Sequence, residues 1–566
     1  MNRRWRIVSA ALLLMLALGL AELTWQYPGA FNNTAPLGSL RAEAFEVTPV
    51  AAHPDGRPGR VVVFVVDGLR KDVSNELPFL GELGARGAAL SLKAPLPSMS
   101  RPSYASMASG TTPERTGLRS NRYDQPVVVD TIFARAHEAH RRVIGVADLN
   151  YWPQNHGGSF DAFEVVEAGA SEALDAAVRG ALREDADLVL IHLVDVDRAG
   201  HAHGVGPEYR EAAQALDVRL RAWSSGIDLT RDAVIVLADH GHLDEGGHGG
   251  DERRVLEVPF VLAGRGIRTP SGVRHPPTGP PDTETVATLA PTLAVLLDLP
   301  YPRDLSAAPT FQALDPAVLG ATALEARKAE WEDHRTRYER AWVAHVRDDW
   351  SQGGRFDNPV VEATHVEPDA ELYRLMETRD RTLDAMAEHR LLGRTPLIAI
   401  VMAVIVVLGL VGLLRGNRAL PLLAIPVFGL AVMAAQHLAG HPFTLSAIAS
   451  APRFWGLVGV AAVVCFGLYL VALEGLLRAA KTRRRAEARH VHLGLAALCN
   501  GGVAVTLWVL SGFWLDAPLP GPTMTYLPYL CGANAAAFAA LAGLALLATP
   551  RRPVASAPLP SAEIQA

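Results

Sequence analysis

Arg60-Val61-Val62-Val63-Phe64-Val65-Val66-Asp67-Gly68 is the stretch that decides the fold. Six apolar residues in a row, five of them β-branched, show no polar alternation and suit a strand covered on both faces, as in parallel sheets. Asp67-Gly68 ends the run. Comparable runs recur at Val143 to Val146, Leu188 to Val194, Ala233 to Ala238 and Val258 to Ala263, with helical patterns such as Ser171 to Arg183 and Pro207 to Trp223 between them. Strands alternating with helices predict an α/β layer fold with a central, mostly parallel sheet. In such sheets the chemistry lies beyond the carboxyl ends of the strands.

The ends of these runs are chemically rich. Asp67 closes the first, and Asp195-Val196-Asp197-Arg198-Ala199-Gly200-His201-Ala202-His203 comes directly after the third. Asp239-His240-Gly241-His242-Leu243-Asp244-Glu245-Gly246-Gly247-His248-Gly249 comes after the fourth. An acid at one strand end commonly caps the next helix. Three such clusters in one domain instead point to a metal centre, and mixed imidazole and carboxylate ligands suit zinc or manganese better than calcium. A hydroxyl is supplied by Leu96-Pro97-Ser98-Met99-Ser100-Arg101-Pro102-Ser103-Tyr104. Pro102 fits the first turn of a helix, so Ser100 stands at a helix N-terminus, where the dipole favours negative charge. On local sequence alone Ser100 also reads as a plain N-cap; metal coordination would make it an alkoxide nucleophile. Ser98 and Asp195 compete with Ser100 and Asp197. His203, His242, Asp244 and Asp251 read as partners of the ligands, as substrate contacts or as ordinary loop residues, and Arg101 as a phosphate contact or a solvated side chain.

These residues resemble the alkaline phosphatase superfamily, in the branch of type I phosphodiesterases/nucleotide pyrophosphatases and GPI ethanolamine phosphate transferases. The resemblance runs from about Arg60 to Leu305. It rests on Val65-Val66-Asp67-Gly68-Leu69-Arg70, Pro97-Ser98-Met99-Ser100-Arg101-Pro102, Asp197-Arg198-Ala199-Gly200-His201-Ala202-His203 and Ala238-Asp239-His240-Gly241, with Ala290-Pro291-Thr292-Leu293-Ala294 and Leu297-Asp298-Leu299-Pro300 as a closing helix. It implies two divalent ions, zinc first and manganese as the alternative. One is held by Asp197, His201 and His248, the other by Asp67, Asp239, His240 and the nucleophile Ser100. The family's register selects Ser100 over Ser98, and the Asp-x-x-Gly-His spacing selects Asp197 over Asp195. The resemblance further implies a two-metal clamp and a covalent phosphoserine intermediate resolved by water or a sugar hydroxyl. Ser103 is expected to donate to a transferring phosphoryl oxygen.

Departures from the pattern narrow the branch. Nucleotide pyrophosphatases carry Thr, an aromatic, Pro and Asn where this chain has Ser100, Arg101, Pro102 and Ser103, which disfavours a nucleotide substrate. Sulfatases need an Arg two residues after the proline, where Tyr104 stands. The GPI ethanolamine phosphate transferases are closer, sharing Ser-Arg-Pro and Gly-His-Ala-His. The expected activity is transfer of phosphoethanolamine from a phospholipid to a glycan or lipid acceptor. Phosphate-ester hydrolysis by a phosphodiesterase or pyrophosphatase, and a non-catalytic membrane scaffold, are the alternatives.

Composition supplies the setting. Of 566 residues, 49% are hydrophobic and 20% charged, and a mean hydropathy of +0.15 excludes a wholly soluble chain. With 53 Lys and Arg against 59 Asp and Glu, a formal charge of -6, no basic excess exists to hold nucleic acid. Arg3, Arg4 and Arg6 precede an apolar run from Ile7 to Ala21, an anchor or a signal peptide. Five further segments are long enough to span a bilayer: Thr395 to Leu414, Ala419 to Leu438, Gly456 to Leu477, Val491 to Phe513 and Leu527 to Ala548. Six spans put the Arg-rich loops inside and Trp25, Tyr27, Trp455, Trp514 and Tyr526 at the outer ends. The expected organisation is an anchor (1–27), a linker (28–59), an extracytoplasmic catalytic domain (60–312), a helical connector (313–394), five spans (395–548) and a cytoplasmic tail (549–566), in a bacterial cell membrane. Cys465, Cys499 and Cys531 all fall within spans, so the catalytic domain must fold without disulfides.

Overall fold

The structure, a computed structural model, describes residues 3–30, 56–269, 285–352, 451–479, 485–511 and 522–548, together with Val432 and Ser446. The deciding run forms β1 (Val61–Val66), with all six residues buried. β2 (Gly87–Lys93), β3 (Val143–Ala147), β4 (Ala162–Val165), β5 (Leu188–Leu193), β6 (Ala233–Leu237) and β7 (Glu257–Gly264) complete a seven-stranded sheet of order β2-β7-β6-β1-β5-β3-β4. β1 pairs in parallel with β5 and β6, and β3 with β5 and β4. β7 runs antiparallel to both β6 and β2. The mostly parallel α/β sheet expected from the sequence is therefore present. The two strands that the apolar runs did not announce are its edges, β2 and β4, and β4 is largely exposed. An edge strand lacks the two covered faces that produce an unbroken apolar run.

The helices used below, in chain order, are α1 (Arg3–Ala30), α2 (Ser100–Ser109), α3 (Tyr151–His156), α4 (Asp195–His203), α5 (Pro207–Ser224), α6 (Leu289–Leu296), α7 (Ala321–Gln352), α8 (Ala451–Ala479), α9 (Arg485–Ser511) and α10 (Pro522–Ala548), with further helices between them that include Pro78–Ala85 and the expected one at Ser171–Ala181. α5 presents Leu216, Leu220 and Trp223 to the core, and the Trp223 ring stacks on Phe64 of β1 at 6.2 Å. Every residue of α2 and of α6 is buried. The chain leaves α2 at Gly110, whose carbonyl accepts the Ser306 and Ala307 N–H groups. α7, the first part of the expected connector, is fastened to this same side. Arg327 donates to the Leu299 carbonyl at 2.8 Å, Trp331 Nε1 to the Ala307 carbonyl at 2.9 Å and Tyr338 to Asp304 at 3.3 Å.

Among the described residues, three helices are long and apolar enough to cross a membrane: Arg4–Thr24, Val458–Arg478 and Tyr529–Ala548. α9 covers the fourth expected C-terminal span. α1, α8, α9 and α10 share one apolar cluster that includes Ala10, Leu13, Phe466, Leu493, Phe538 and Ala542. Small residues let the helices approach: a Cβ on Gly543 would meet Leu14 at 3.1 Å and the Ala10 carbonyl at 3.2 Å. All three cysteines are unpaired. The expected spans Thr395 to Leu414 and Ala419 to Leu438 lie outside the described residues, apart from Val432.

Candidate metal and nucleophile site

Strand order explains the convergence. β6, β1 and β5 are adjacent and parallel, so Asp239, Asp67 and the start of α4 leave the sheet at one edge. There the side chains form three overlapping groups with ligand atoms close enough to share a cation: Asp67, Asp239 and His240; Asp197, His240 and His248; and Asp197, His201 and His242. Ser100, the first residue of α2, places its Oγ 3.2 Å from His240 Nε2. The seven residues expected as ligands are thus brought together, and the His240 and His248 rings stack at 3.7 Å.

The first group is buried and short of partners. Asp67 Oδ1 and Asp239 Oδ2 have no hydrogen-bond partner, yet lie 3.4 and 3.2 Å from His240 Nε2. Two bare carboxylate oxygens in the interior are costly unless they hold a cation, so the residues present fit a divalent metal. The remaining oxygens are tied down. Asp239 Oδ1 accepts the Gly68 N–H at 3.0 Å and its own neighbour's, His240 N–H, at 2.9 Å. Asp67 Oδ2 accepts the Tyr104 hydroxyl, and His192 Nε2 lies 3.2 Å from it and 2.8 Å from the Tyr104 oxygen.

Electrostatics agree with the geometry. Burial alone would raise the Asp67 carboxyl, but the His192 hydrogen bond and the nearby His240 hold it below the ordinary carboxylate range. Asp239 is pushed well up, by burial and then by the charge on Asp67. Burial lowers His240 to about 4 and, with the neighbouring imidazoles, drives His248 well below its usual value. Both imidazoles are therefore neutral near pH 7 and able to donate a lone pair. His240 Nδ1 is 3.2 Å from the Gly241 carbonyl and His248 Nδ1 is 3.0 Å from the Ser98 carbonyl. A carbonyl only accepts, so each Nδ1 carries the proton and each Nε2 faces the site bare.

Other expected positions take different parts. Ser98 is fully buried, its hydroxyl donating to the Gly250 carbonyl at 2.7 Å and accepting the Gly249 N–H at 3.0 Å. Ser103 is buried and donates to the Asp239 carbonyl at 3.0 Å, which leaves no proton for a phosphoryl oxygen. Arg101 is neither solvated nor turned to the site. It bonds Gln154 and Asn155 and lies over the Tyr151 ring, 3.8 Å from the ring centre, pinning α3 to α2. Asp195 pairs with Arg198 and Arg219, and Asp244 with Arg70 and Arg254; His203 and Asp251 are exposed.

Three contributors are not among the residues expected from sequence. His192 sits within the apolar β5 run, and a polar residue in a fully buried strand is itself the signal that a partner is near. Tyr104 lies one turn beyond the nucleophile motif. Asn121, in the loop after α2, donates Nδ2–H toward Ser100 Oγ at 3.4 Å and accepts the Arg101 N–H at 3.0 Å. One contact comes from farther along the chain. Ser446 Oγ accepts the Gly250 N–H at 2.9 Å and donates to Glu252 at 2.8 Å, on the loop that carries His248.

Fold and site together define an α/β domain whose clustered carboxylates, imidazoles and serine hydroxyl fit divalent metal ions. Residues 61–152 match the type I phosphodiesterase/nucleotide pyrophosphatase family, and residues 158–301 match the metalloenzyme superfamily. Among curated proteins the chain is similar to human GPI ethanolamine phosphate transferase 3, catalytic subunit, at 28% identity over 290 residues, 45% of this chain and 26% of the relative. GPI ethanolamine phosphate transferase 1 of Emericella nidulans is 27% identical over 266 residues, 38% of this chain and 28% of that protein. The chain therefore spans about a quarter of the length of these relatives. Among solved structures, the alkaline phosphatase PafA aligns over 47% of this chain and 100% of its own at 12% identity, with a TM-score of 0.38. The transferases matched come from human, mouse and fungi, and nothing in them supports the bacterial cell membrane expected from the sequence.

Proposed function

We propose that this chain is a membrane-bound phosphotransferase that moves a phosphoethanolamine group from a phospholipid to a glycan or lipid hydroxyl through Ser100. The observation that carries the reading is the Ser100 hydroxyl held at a helix N-terminus, against His240, at the sheet edge where the carboxylates and imidazoles converge. Its curated relatives bear names of ethanolamine phosphate transferases, in keeping with a lipid-derived donor and a GPI-like glycan acceptor. Asp67, Asp239, His240 and Ser100 would hold one divalent ion, and Asp197, His201 and His248 a second, zinc being favoured by the ligand types. Bound there, the ions would supply charge stabilisation and lower the pKa of the serine hydroxyl.

The remaining work falls to the chain's own side chains. Tyr104 and His192 hold Asp67 so that its free oxygen faces inward, and the Gly68 and His240 N–H groups do the same for Asp239. Asn121 presents an N–H beside Ser100 Oγ, where a phosphoryl oxygen gathers charge. In the first half-reaction the Ser100 hydroxyl gives up its proton and its oxygen bonds to phosphorus as the bond from phosphorus to the glycerol oxygen of the lipid breaks, a proton passing to that leaving oxygen. In the second, an acceptor hydroxyl gives up its proton, bonds to phosphorus and displaces the serine oxygen, which takes a proton back. The division into anchor (1–27), catalytic domain (60–312), connector (313–394) and spans (395–548), with the catalytic part outside the cytoplasm, belongs to the same proposal and puts the site beside its donor.

The test is product analysis with head-group-labelled phosphatidylethanolamine and the purified full-length chain. Label on an acceptor, and on Ser100 when acceptor is withheld, is expected. Label released only as free phosphoethanolamine would make water the acceptor and the chain a phosphodiesterase. No bound metal, with Ser100→Ala and Asp239→Ala leaving the cellular phenotype intact, would leave only a scaffold.

A further inference from the structure

His242 lies in the same cluster as the ligands, and by proximity alone it competes with His248 for a place beside Asp197. Its ring is completely buried, with Nε2 2.9 Å from Asp197 Oδ1; His201 and His248 Nε2 stand farther from that oxygen, at 3.5 and 3.8 Å. The other face of the ring settles its chemistry. Nδ1 accepts the backbone N–H of Gly247 at 3.1 Å. A nitrogen receiving an N–H has no proton of its own, so the single proton of the neutral ring is on Nε2 and points at Asp197. This is the reverse of His240 and His248, whose Nδ1 atoms meet carbonyls and whose Nε2 atoms are bare.

The sequence motifs make room for this ring. A Cβ on Gly200 would fall 2.6 Å from His242 Nε2, and one on Gly68 would fall 2.8 Å from the same atom and 2.9 Å from Asp197 Cα. At Gly200 the close approach of the imidazole leaves no room for a Cβ, and at Gly68 the imidazole, the Asp197 backbone and a φ of 71° together favour glycine. Gly68 of the β1 motif and Gly200 of the α4 motif close around the side chain supplied by the loop after β6.

From these contacts we infer that His242 is a positioning residue rather than a ligand: it donates Nε2–H to Asp197 Oδ1 and fixes the carboxylate so that its remaining lone pairs face the cation shared with His201 and His248. The inference rests on the proposed reading of Asp197 as a ligand. Partners of this kind typically alter metal affinity 10–100-fold without altering the ligand count.

Two substitutions separate the possibilities. His242→Gln keeps an N–H donor near the Nε2 position, whereas His242→Met fills the space without one. The full-length protein in detergent is stripped with a chelator and titrated with Co(II), following metal content per chain and the visible absorption of the bound ion. Expected for His242→Met is unchanged metal content at saturation and an unchanged band shape, with one site weakened about 10–100-fold and largely restored in His242→Gln. Loss of one metal equivalent with an altered band in both variants, as for His248→Ala, would make His242 a ligand and overturn the inference. Unaltered affinity in His242→Met would overturn it also. His242→Asn, whose amide stops short of Asp197, replaces His242→Met should the latter fail to fold. Metal binding that survives Asp197→Ala unchanged would instead remove the reading of Asp197 beneath the inference.

Discussion

Ser100 and Tyr104 show how little separates the proposed nucleophile from its support. They lie one turn apart on α2, so one helix aims the hydroxyl of the first at His240 and the hydroxyl of the second at Asp67. Ser100→Ala is expected to lower turnover by at least about 10^3-fold, as loss of a nucleophile does, and to abolish label on the protein, read by mass spectrometry of trapped enzyme. Tyr104→Phe leaves packing nearly intact but removes one bond to Asp67 Oδ2. Metal affinity should fall about 10–100-fold with metal content at saturation unchanged, measured by competition against a chromophoric chelator.

At the scale of elements, α3 makes a prediction about acid. His156, its last residue, has neither ring nitrogen hydrogen-bonded and packs between Phe133 and Trp152; burial pushes it down to about 3. His334 on α7 is likewise buried and pushed down to about 4. Histidine in the unfolded chain has a pKa near 6.5, so between that value and the folded ones the unfolded state binds more protons. The stability contributed is complete above about pH 6.5 and is lost as pH falls toward 4 and 3, on the order of 8 kcal/mol for the two together. Unfolding of the full-length chain followed by tryptophan fluorescence from pH 7 to pH 4 should show this loss, and His156→Phe should flatten it.

The elements also show where sequence stops being informative. The five apolar runs became the five interior strands, because burial on both faces leaves an uninterrupted signature. That signature is the same in either direction, so the antiparallel course of β7 was not visible. The residues proposed as ligands were legible as a cluster because acids and imidazoles recur at strand ends. The supporting set was not, since Asn121, His192 and Ser446 join the site only through contacts between residues distant in the chain. Arg101, which reads as a phosphate contact or a solvated side chain, serves packing because its guanidinium meets three acceptors within the domain.

Over the whole molecule, the contact from Ser446 to Gly250 and Glu252 joins the part of the chain that leads into α8 to the loop bearing His248. The serine is buried, and removing its hydroxyl leaves the Gly250 N–H without an acceptor, at a cost of about 1–3 kcal/mol. Ser446→Ala should therefore weaken metal retention during chelator dialysis, and Ser446→Thr should restore it. Chelation of wild-type protein should in turn lower its thermal midpoint, since a ligand that binds only the folded state stabilises it.

Under the proposed topology and metal site, that serine would couple the bilayer to the metal centre. Two equilibria that share a fastening are reciprocal: whatever strains the packing that presents Ser446 must loosen the His248 loop, and filling the cation site must tighten the fastening in return. Under the proposed topology, Co(II) affinity measured in nanodiscs of increasing lipid chain length should change with thickness in the wild type and stay level in Ser446→Ala.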